Sequence, residues 1–485
     1  MPLYEDLNKQ YIAGEWREGS SKNVYENRNP FNHEVITKIK MASQQDIDEA
    51  YQSAEKVQVE WEKVSAFDKA DIMENAVAIM KSRREELINL LIQETGSSFL
   101  KAKVEVDFCI SITREAAGFP MRMGGELVPS LIPGKENRIY RRPLGVVGVI
   151  SPFNFPLYLS IRSVAPALAA GNGVVLKPDE QTSVSGGFVV GKIFEEAGIP
   201  KGLLNIVVAS IDEIGDGFVD QPIPRMISFT GSTEVGKHIG ALCAKNMKKV
   251  ALELGGNNAL IVLKDANIER ALNSAVFGKF LHNGQICMSI NRILVHKSSH
   301  DEFLDKFRTA VKNIKVGDPS NHENFIGPLI NVEAVNRILS QIEKAKKQGA
   351  RVVLEGKVEG NIMHPYILAA DSNEIATAKN EMFGPVTTVI PFEKEEEAIQ
   401  IANDTQYGLS GAVHAGSVEK GVEIAKQIKT GMIHVNDQSV NDEPLIAFGG
   451  EKDSGLGRFG GKWSLDEFTT FQWISTQHLP REYPF

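Results

Sequence analysis

The spacing of hydrophobic positions changes several times along the chain, and each spacing predicts a different kind of element. After a short strand–turn–strand pattern around Ala13 and Gly14, apolar residues recur at helical spacing from residue 43 to about 117. The stretch 124–142 mixes Gly, Pro and apolar residues with charges, which favours extended strands. Residues 468–476 likewise predict a strand near the C-terminus.

A regular alternation of short strands and helices begins at residue 145. Apolar strands are predicted at 145–151, 173–177, 204–209, 227–230 and 250–254, and helices at 157–170, 185–197 and 233–246. Such alternation is typical of βαβ units, whose parallel sheets bind ligands at the carboxyl ends of their strands. A second alternating region is predicted at about 259–435, followed by a glycine-rich segment at 449–461. The expected fold class is therefore α/β.

Composition narrows the class of protein. A chain of 485 residues predicts two to four domains, at roughly 100–200 residues each. The net charge of −9 disfavours nucleic acid as a partner, because phosphate binding needs a positive surface. The cysteines, Cys109, Cys243 and Cys287, have no metal-ligand spacing and fit a reducing compartment. The N-terminus has no signal-peptide pattern, and no stretch reaches the ~18 unbroken apolar residues of a membrane-spanning helix, so we expect a cytoplasmic protein. No cluster of metal ligands is visible, so we expect no metal.

Two segments place a single polar side chain directly after a buried strand. In PFNFP, at 152–156, two prolines fix the backbone around Asn154, whose amide can donate to a developing oxyanion. An asparagine that satisfies the backbone of a turn is the alternative. In LELGG, at 252–256, Glu253 ends an apolar strand, and a carboxylate in such surroundings can act as a base near neutral pH. A glutamate turned toward solvent is the alternative there.

The segment FTGSTEVG, at 229–236, predicts a strand, a glycine turn and a helix. Free backbone N–H groups and a hydroxyl at a helix N-terminus suit a pyrophosphate. The segment is not a GxGxxG motif, because Gly231 and Gly236 are five positions apart. A simple helix capped by Ser232 is the alternative.

Cys287 differs from the other two cysteines in its local sequence. It lies in a polar, glycine-flanked loop, which gives the access that a thiolate nucleophile needs. Cys109 and Cys243 are expected to be small buried hydrophobes. His282 lies five residues before Cys287, so a Cys–His hydrolase has to be considered. That function would leave the predicted dinucleotide-type sheet unexplained.

Seven motifs in this order resemble those of the aldehyde dehydrogenase superfamily: PFNFP, LKPDE, FTGSTEVG, LELGG, GQIC, EMFGP and FGGEKDSGLGR. Together they extend over essentially the whole chain. The resemblance implies a Rossmann-type NAD-binding domain at 1–121 and 144–255 and an α/β catalytic domain at 256–465. It also implies a small β oligomerisation element at 122–143 and 466–485, and a homodimer or homotetramer.

The resemblance further implies roles for single residues. Cys287 would be the nucleophile, Glu253 the general base, and Asn154 with the backbone N–H of Cys287 the oxyanion hole. An aldehyde would be oxidised to the acid through a thiohemiacetal and a thioester on Cys287. The implied cofactor is NAD, with NADP possible, bound by Lys177 and Glu180 at the adenosine ribose, Gly231 and Ser232 at the pyrophosphate, and Glu381 and Phe383 at the nicotinamide ribose and ring. Glu180 favours NAD, because its charge would repel the 2′-phosphate of NADP.

Some sequence segments are similar to those of benzaldehyde and vanillin dehydrogenases. One such segment is VNDQSVNDEP at 435–444. Tyr158, Leu159 and Arg162 are implied to line the substrate tunnel, where an aromatic wall and a cation suit a ring with a polar substituent. Arg162 can instead form an ion pair elsewhere.

Three other functions remain as alternatives. In an aliphatic or semialdehyde dehydrogenase, Arg162 would hold a substrate carboxylate. A coenzyme A-dependent relative that releases a thioester is disfavoured by Glu253, because hydrolysis needs that carboxylate. A non-catalytic protein of the same fold is disfavoured by the presence of Cys287, Glu253 and Asn154.

Overall fold

The computed structural model describes residues 3–485. Its strands are β1 (Gln10–Ile12), β2 (Glu15–Arg17), β3 (Val24–Arg28), β4 (Val35–Lys40), β5 (Glu126–Val128), β6 (Lys135–Pro143), β7 (Val146–Ile150), β8 (Gly173–Lys177), β9 (Leu204–Ile206), β10 (Met226–Thr230), β11 (Lys249–Glu253), β12 (Asn258–Val262), β13 (Ile290–His296), β14 (Arg351–Leu354), β15 (Val358–Glu359), β16 (Ile362–Met363), β17 (Tyr366–Ala369), β18 (Val386–Phe392), β19 (Tyr407–Gly408), β20 (Gly411–His414), β21 (His434–Val435), β22 (Glu451–Lys452), β23 (Gly455–Leu456) and β24 (Thr469–Gln477). Its α-helices are α1 (Gln44–Lys63), α2 (Ala66–Ser82), α3 (Arg84–Thr95), α4 (Phe99–Ala117), α5 (Pro156–Ala169), α6 (Val189–Ala197), α7 (Ile211–Ile214), α8 (Gly217–Asp220), α9 (Thr233–Lys245), α10 (Ile268–Phe280), α11 (His300–Lys312), α12 (Val332–Lys347), α13 (Ala376–Lys379), α14 (Glu395–Asn403), α15 (Val418–Ala425) and α16 (Gly461–Glu467).

The first sheet has eight strands in the order β2-β1-β9-β8-β7-β10-β11-β23. Strands β9, β8, β7, β10 and β11 run parallel, and they are the apolar runs that the sequence predicts. The chain passes from β7 to β8 and β9 on one side, then returns to place β10 and β11 on the other side. This reversal opens a crevice at the carboxyl ends of β7 and β10, where sheets of this kind bind ligands.

The second sheet has seven strands in the order β14-β17-β18-β13-β12-β20-β21. All neighbours are parallel except β14, which is an antiparallel edge strand. Apolar side chains from the helices cover both faces of the sheet. The two large sheets together make the chain an α/β protein, as the alternating pattern predicts.

The third sheet, β24-β6-β5, joins the two distant stretches that the sequence marks as extended. Strand β24 pairs with β6 along its whole length, from Thr469 opposite Pro143 to Gln477 opposite Lys135. Its side chains are mostly exposed. The prediction of extended structure at both stretches is therefore confirmed.

One short strand of the region predicted as the catalytic domain belongs to the first sheet. Strand β23 pairs with β11 of the first sheet, although it falls within the 256–465 range. The pairing depends on Gly455, because a Cβ there would lie 2.2 Å from the carbonyl oxygen of Leu252. The glycine-rich segment thus returns to the first sheet and adds an edge strand beyond β11.

None of the helices described within residues 3–485 combines the length and apolar character needed to cross a bilayer. The same residues contain no group of three or more His, Cys, Asp or Glu side chains arranged to hold a metal ion.

Candidate active site

Two cavities meet at the carboxyl ends of the first sheet. The larger, of about 510 Å³, follows the crevice beyond β7, β8, β10 and β11. The smaller, of about 300 Å³, lies between α4, α5, α10 and the 438–448 segment. Asn154, Glu253 and Cys287 line both cavities. The fold therefore brings together, at one junction, the three candidate catalytic residues from distant parts of the chain.

Asn154 lies in the loop between β7 and α5 and is 4% exposed. Its Nδ2 donates a hydrogen bond to the backbone carbonyl of Gln285 at 2.9 Å. An amide NH₂ carries two hydrogens, so the second is free to serve a ligand atom in the cavity. The contact also fixes Asn154 to the loop that carries Cys287.

The loop before Cys287 has an uncommon backbone conformation. His282, Asn283 and Gly284 are consecutive residues with positive φ angles of 51°, 57° and 70°. The backbone of a non-glycine residue is strained in this region of φ, so contacts with neighbouring residues must hold the loop in place. The Asn283 amide donates to a backbone carbonyl at 2.6 Å, and the Asn258 amide at the start of β12 donates to the carbonyl of Cys287 at 2.7 Å. These contacts present the partly exposed Cys287 to both cavities.

Burial and the nearby carboxyls of Glu253 and Glu381 raise the pKa of Cys287 to about 12, while the Arg162 guanidinium acts in the opposite direction. The ligand-free thiol is therefore protonated near neutral pH, and a base or a positive charge has to act before it becomes a nucleophile. Cys109 and Cys243 are buried, as the sequence predicts.

Glu253 ends β11 with its carboxyl group turned inward. The residue is 1% exposed, and neither carboxyl oxygen has a hydrogen-bond partner among residues 3–485. Burial raises the pKa of Glu253 to about 7, and the neighbouring Arg162 opposes this rise. The solvent-facing alternative is wrong, because the Gly-rich segment around β23 covers this end of the strand. A buried carboxyl group that titrates near neutrality can exchange a proton with bound water.

His282 does not support the Cys–His hydrolase alternative. It is buried, its Nε2 has no partner within the described part of the chain, and its ring packs against Phe155. Burial and the Lys101 charge hold the pKa of His282 well below its usual value. It lines neither cavity. The thiol–imidazole contact that such an enzyme needs is absent among residues 3–485.

Five of the six residues predicted to bind the cofactor line the larger cavity: Lys177, Gly231, Ser232, Glu381 and Phe383. Glu180 does not line it. Glu180 is half-buried and begins a short 3₁₀ turn just beyond Lys177. Burial lowers the pKa of Lys177, and the charge of Glu180 partly opposes this effect. The ammonium group of Lys177 has no hydrogen bond or ion pair with the described residues, so it is available to a ligand.

The two glycines of LELGG allow a close approach on the cavity floor. A Cβ at Gly255 would lie 2.4 Å from a carboxyl oxygen of Glu381, and one at Gly256 would lie 2.2 Å from the carbonyl oxygen of Cys287. The Gly256 N–H donates to Glu381 at 2.9 Å. Burial raises the pKa of Glu381 to about 7. Larger residues here would separate Glu381 from the Cys287 loop.

The N-terminus of α9 also faces the larger cavity. Ser232 is its N-cap, and its Oγ accepts a hydrogen bond from the N–H of Val235 at 3.4 Å. The capped-helix alternative is thus correct in itself. It is also compatible with an anion site, because the other free N–H groups of the first turn remain at the cavity.

Tyr158, Leu159 and Arg162 of α5 all line the smaller cavity. The remaining wall is largely aromatic and aliphatic, with Phe108, Phe155, Phe277, Leu281, Ile286, Met288, Val440 and Phe448. This lining suits an apolar or aromatic substrate.

Sequence reasoning missed several polar residues of the smaller cavity, and the charged one among them is Asp442. Its carboxylate accepts a hydrogen bond from the Tyr158 hydroxyl at 2.6 Å and lies 3.9 Å from Arg162. Arg162 therefore makes an ion pair inside the cavity rather than elsewhere. The sequence offered one indication, since Asp442 belongs to the 435–444 run that resembles aromatic aldehyde dehydrogenases. No local pattern connects that run with α5.

Comparison with known proteins gives consistent matches along the chain. The model of the aldehyde dehydrogenase family matches residues 16–474. A benzaldehyde dehydrogenase of Bacillus subtilis is 54% identical over 482 residues, which cover 99% of each chain. A vanillin dehydrogenase of Corynebacterium glutamicum is 48% identical, with 97% of each chain covered.

Solved structures agree with these matches. The crystal structure of an NAD-dependent benzaldehyde dehydrogenase from Corynebacterium glutamicum superposes with a TM-score of 0.90 at 45% identity. The superposition covers 98% of this chain and 100% of the other.

Proposed function

The chain belongs to the aldehyde dehydrogenase family, and from this premise we propose that it oxidises aromatic aldehydes of the benzaldehyde or vanillin type to carboxylic acids with NAD. The observation that carries this proposal is the smaller cavity, whose aromatic and aliphatic wall includes Phe108, Phe277 and Phe448 and reaches Cys287. The names of the similar benzaldehyde and vanillin dehydrogenases support it.

We assign the chemistry to the three residues at the junction of the cavities. The Cys287 thiol first loses its proton to water, and the thiolate then adds to the aldehyde carbon and forms a thiohemiacetal. The free N–H of Asn154, with the backbone N–H of Cys287, donates to the resulting oxyanion. The nicotinamide of NAD, when bound, supplies the hydride acceptor that oxidises this adduct to a thioester. Glu253 then takes a proton from water, whose oxygen attacks the thioester and releases the acid and the thiol.

The larger cavity fits NAD on features of this structure. The unpartnered Lys177 ammonium lines this cavity and can bind ribose hydroxyls, and Glu180 begins the turn just beyond it. The N-terminal turn of α9 suits a pyrophosphate. Glycine is favoured at position 231, because a Cβ there would lie 2.4 Å from the ring of Phe229. The Glu381 carboxylate would accept hydrogen bonds from the hydroxyl groups of the nicotinamide ribose.

Phe383 is the other residue that we assign to the nicotinamide end of the cavity. It has a φ angle of 45°, and its ring packs edge-on against Phe153 at 5.9 Å. This fixed aromatic edge would bound the position of the nicotinamide ring.

Two predictions on organisation remain proposals. We propose that the first sheet with α1–α9 forms the NAD-binding domain, and the second sheet with α10–α15 the catalytic domain. We further propose that the third sheet mediates a homodimer or homotetramer. Its exposed apolar side chains, among them Leu127, Phe471, Trp473 and Ile474, support this assignment. Light scattering of the purified protein tests it, and a monomer would contradict it.

Cytoplasmic location is likewise a proposal. It is supported by the three cysteines, all of which are free thiols. Fractionation of the producing cell measures it.

An aldehyde panel with NAD and NADP tests the activity, with nicotinamide reduction followed by absorbance. We expect a higher kcat/KM for benzaldehyde and vanillin than for acetaldehyde or succinic semialdehyde. A preference for the aliphatic aldehydes would refute the aromatic assignment while leaving the family unchanged.

A further inference from the structure

The smaller cavity contains a charge pair whose two members come from opposite walls, Arg162 of α5 and Asp442 of the 438–448 segment. We infer that this pair selects uncharged aldehydes that carry a hydroxyl group and excludes aldehydes that carry a carboxylate. The inference rests on the proposed function and deepens it, because it names the substrate class within that cavity.

The pair is buried and incompletely hydrogen-bonded. The side chains of Arg162 and Asp442 are 2% and 5% exposed, and Arg162 Nη1 lies 3.9 Å from Asp442 Oδ2. Arg162 Nη1 and Nε have no hydrogen-bond partner among the described residues. Arg162 Nη2 has a single weak contact, with Thr230 Oγ1 at 3.4 Å. Buried guanidinium N–H groups are rarely left without acceptors, so a ligand atom is expected beside Nη1.

The spacing suits one bridging oxygen. A separation of 3.9 Å is too long for a direct hydrogen bond. An oxygen placed beside the line between the two atoms can lie about 2.9 Å from each of them, which is an ordinary hydrogen-bond distance. A hydroxyl group can accept from Arg162 and donate to Asp442 at the same time. An ether oxygen can only accept.

The charges oppose a second anion. Asp442 already neutralises Arg162, and Glu253 faces the same cavity, so a substrate carboxylate meets no net positive charge. The Tyr158 hydroxyl donates its hydrogen bond to Asp442 at 2.6 Å, so it cannot donate the same proton to a substrate carboxylate. An unpaired anion in such a site is strongly disfavoured.

Aromatic rings restrict the movement of the guanidinium. Arg162 lies 4.6 Å from the ring centres of Phe448 and of Phe459. This contact holds the guanidinium plane and limits its rotation toward a different anion.

Four benzaldehydes test the inference with the wild-type enzyme: the unsubstituted compound and its para-hydroxy, para-methoxy and para-carboxy derivatives. We expect kcat/KM for para-hydroxybenzaldehyde to exceed that for the methoxy compound. The carboxy compound should be lowest, about tenfold or more below benzaldehyde, as expected for one unpaired charge. Equal or better use of the carboxy compound would overturn the inference.

Asp442→Asn provides the decisive variant, because it leaves Arg162 unneutralised at unchanged volume. The ratio of kcat/KM for the carboxy compound over the hydroxy compound should rise about tenfold or more. Glu443→Gln is the matched control. It removes the same charge from the next residue, which is exposed and does not line the cavity, and the ratio should stay within about twofold of wild type. An unchanged ratio in Asp442→Asn would refute the inference.

Two further measurements keep the outcome unambiguous. If circular dichroism shows that Asp442→Asn does not fold, the inference is tested in two other ways. One is the series of kcat/KM values for the wild-type enzyme, and the other is the calorimetric affinity of Cys287→Ala for the same aldehydes. If the enzyme oxidises only aliphatic aldehydes, the proposed function fails separately. The same comparison is then made with hydroxy- and carboxy-terminated aliphatic aldehydes, where a preference for the carboxylate overturns the inference and a preference for the hydroxyl supports it.

Discussion

Replacing Glu253 by glutamine removes the charge and the titration of this group at nearly unchanged volume, with an amide NH₂ in place of one carboxyl oxygen. Glu253 is 1% exposed, and both of its oxygens are unpartnered within residues 3–485. The variant should therefore fold without a cavity. We expect it to change both the hydrolysis of the thioester and the dependence of stability on pH.

The direction of the stability effect follows from the pKa of Glu253, which burial raises from 4.5 to about 7. The folded protein binds this proton more tightly than the unfolded chain does. Its stabilising contribution is complete below pH 4.5 and is lost as the pH rises through about 7. The difference between the two pKa values corresponds to a loss of about 3 kcal/mol.

Thermal unfolding translates this free energy into a temperature. For 485 residues that unfold as one unit, the unfolding entropy is about 1 kcal/mol per kelvin, so about 3 kcal/mol shifts Tm by about 3 °C. Between pH 5 and pH 8, the Tm of Glu253→Gln relative to wild type should rise by about 2–3 °C. Glu443→Gln, which removes an exposed charge, should show no such trend.

Rapid-mixing kinetics measure the catalytic consequence. Glu253→Gln should give a burst of NADH followed by a slow steady state, because the thioester forms but is hydrolysed slowly. The wild-type steady-state rate should rise with pH through about 7, as the carboxyl group ionises. A Tm difference that is independent of pH would show that the carboxyl group does not titrate as described. Steady-state rates equal to wild type would exclude Glu253 as the base.

Three further predictions concern other parts of the molecule. Cys287→Ala should abolish oxidation yet bind NAD in calorimetry, whereas Cys243→Ala should retain wild-type turnover; activity in the former would exclude the covalent route. Glu180→Gln should reduce the kcat/KM preference for NAD over NADP about tenfold by removing a repulsive charge, and an unchanged ratio would mean that Glu180 does not control the choice. Glu105→Gln should lower Tm by about 3–5 °C, because it leaves the buried Lys101 ammonium, 2.5 Å away, without its counter-ion. A shift below about 1 °C would show that the pair does not stabilise the fold.

The catalytic candidates were predictable from the sequence because their signals are local. A buried apolar run predicts a parallel strand, and the polar residue that follows it must lie at a carboxyl edge. Asn154, Glu253 and the residues at the start of α9 were found in this way. Cys287 was identified by its polar, glycine-flanked loop. The paired stretches of the third sheet were visible as irregular extended segments.

The contacts that define the smaller cavity depend on tertiary structure alone. Asp442 meets Tyr158 across 284 residues of chain, and no hydrophobic period relates the two positions. The inward position of Glu253 also required the fold, because β23, a strand of two residues, is too short to be predicted from its sequence. Local sequence patterns indicate which face of a helix or strand is buried. Which two buried faces meet, and therefore which charges neutralise each other, is decided only when the elements pack.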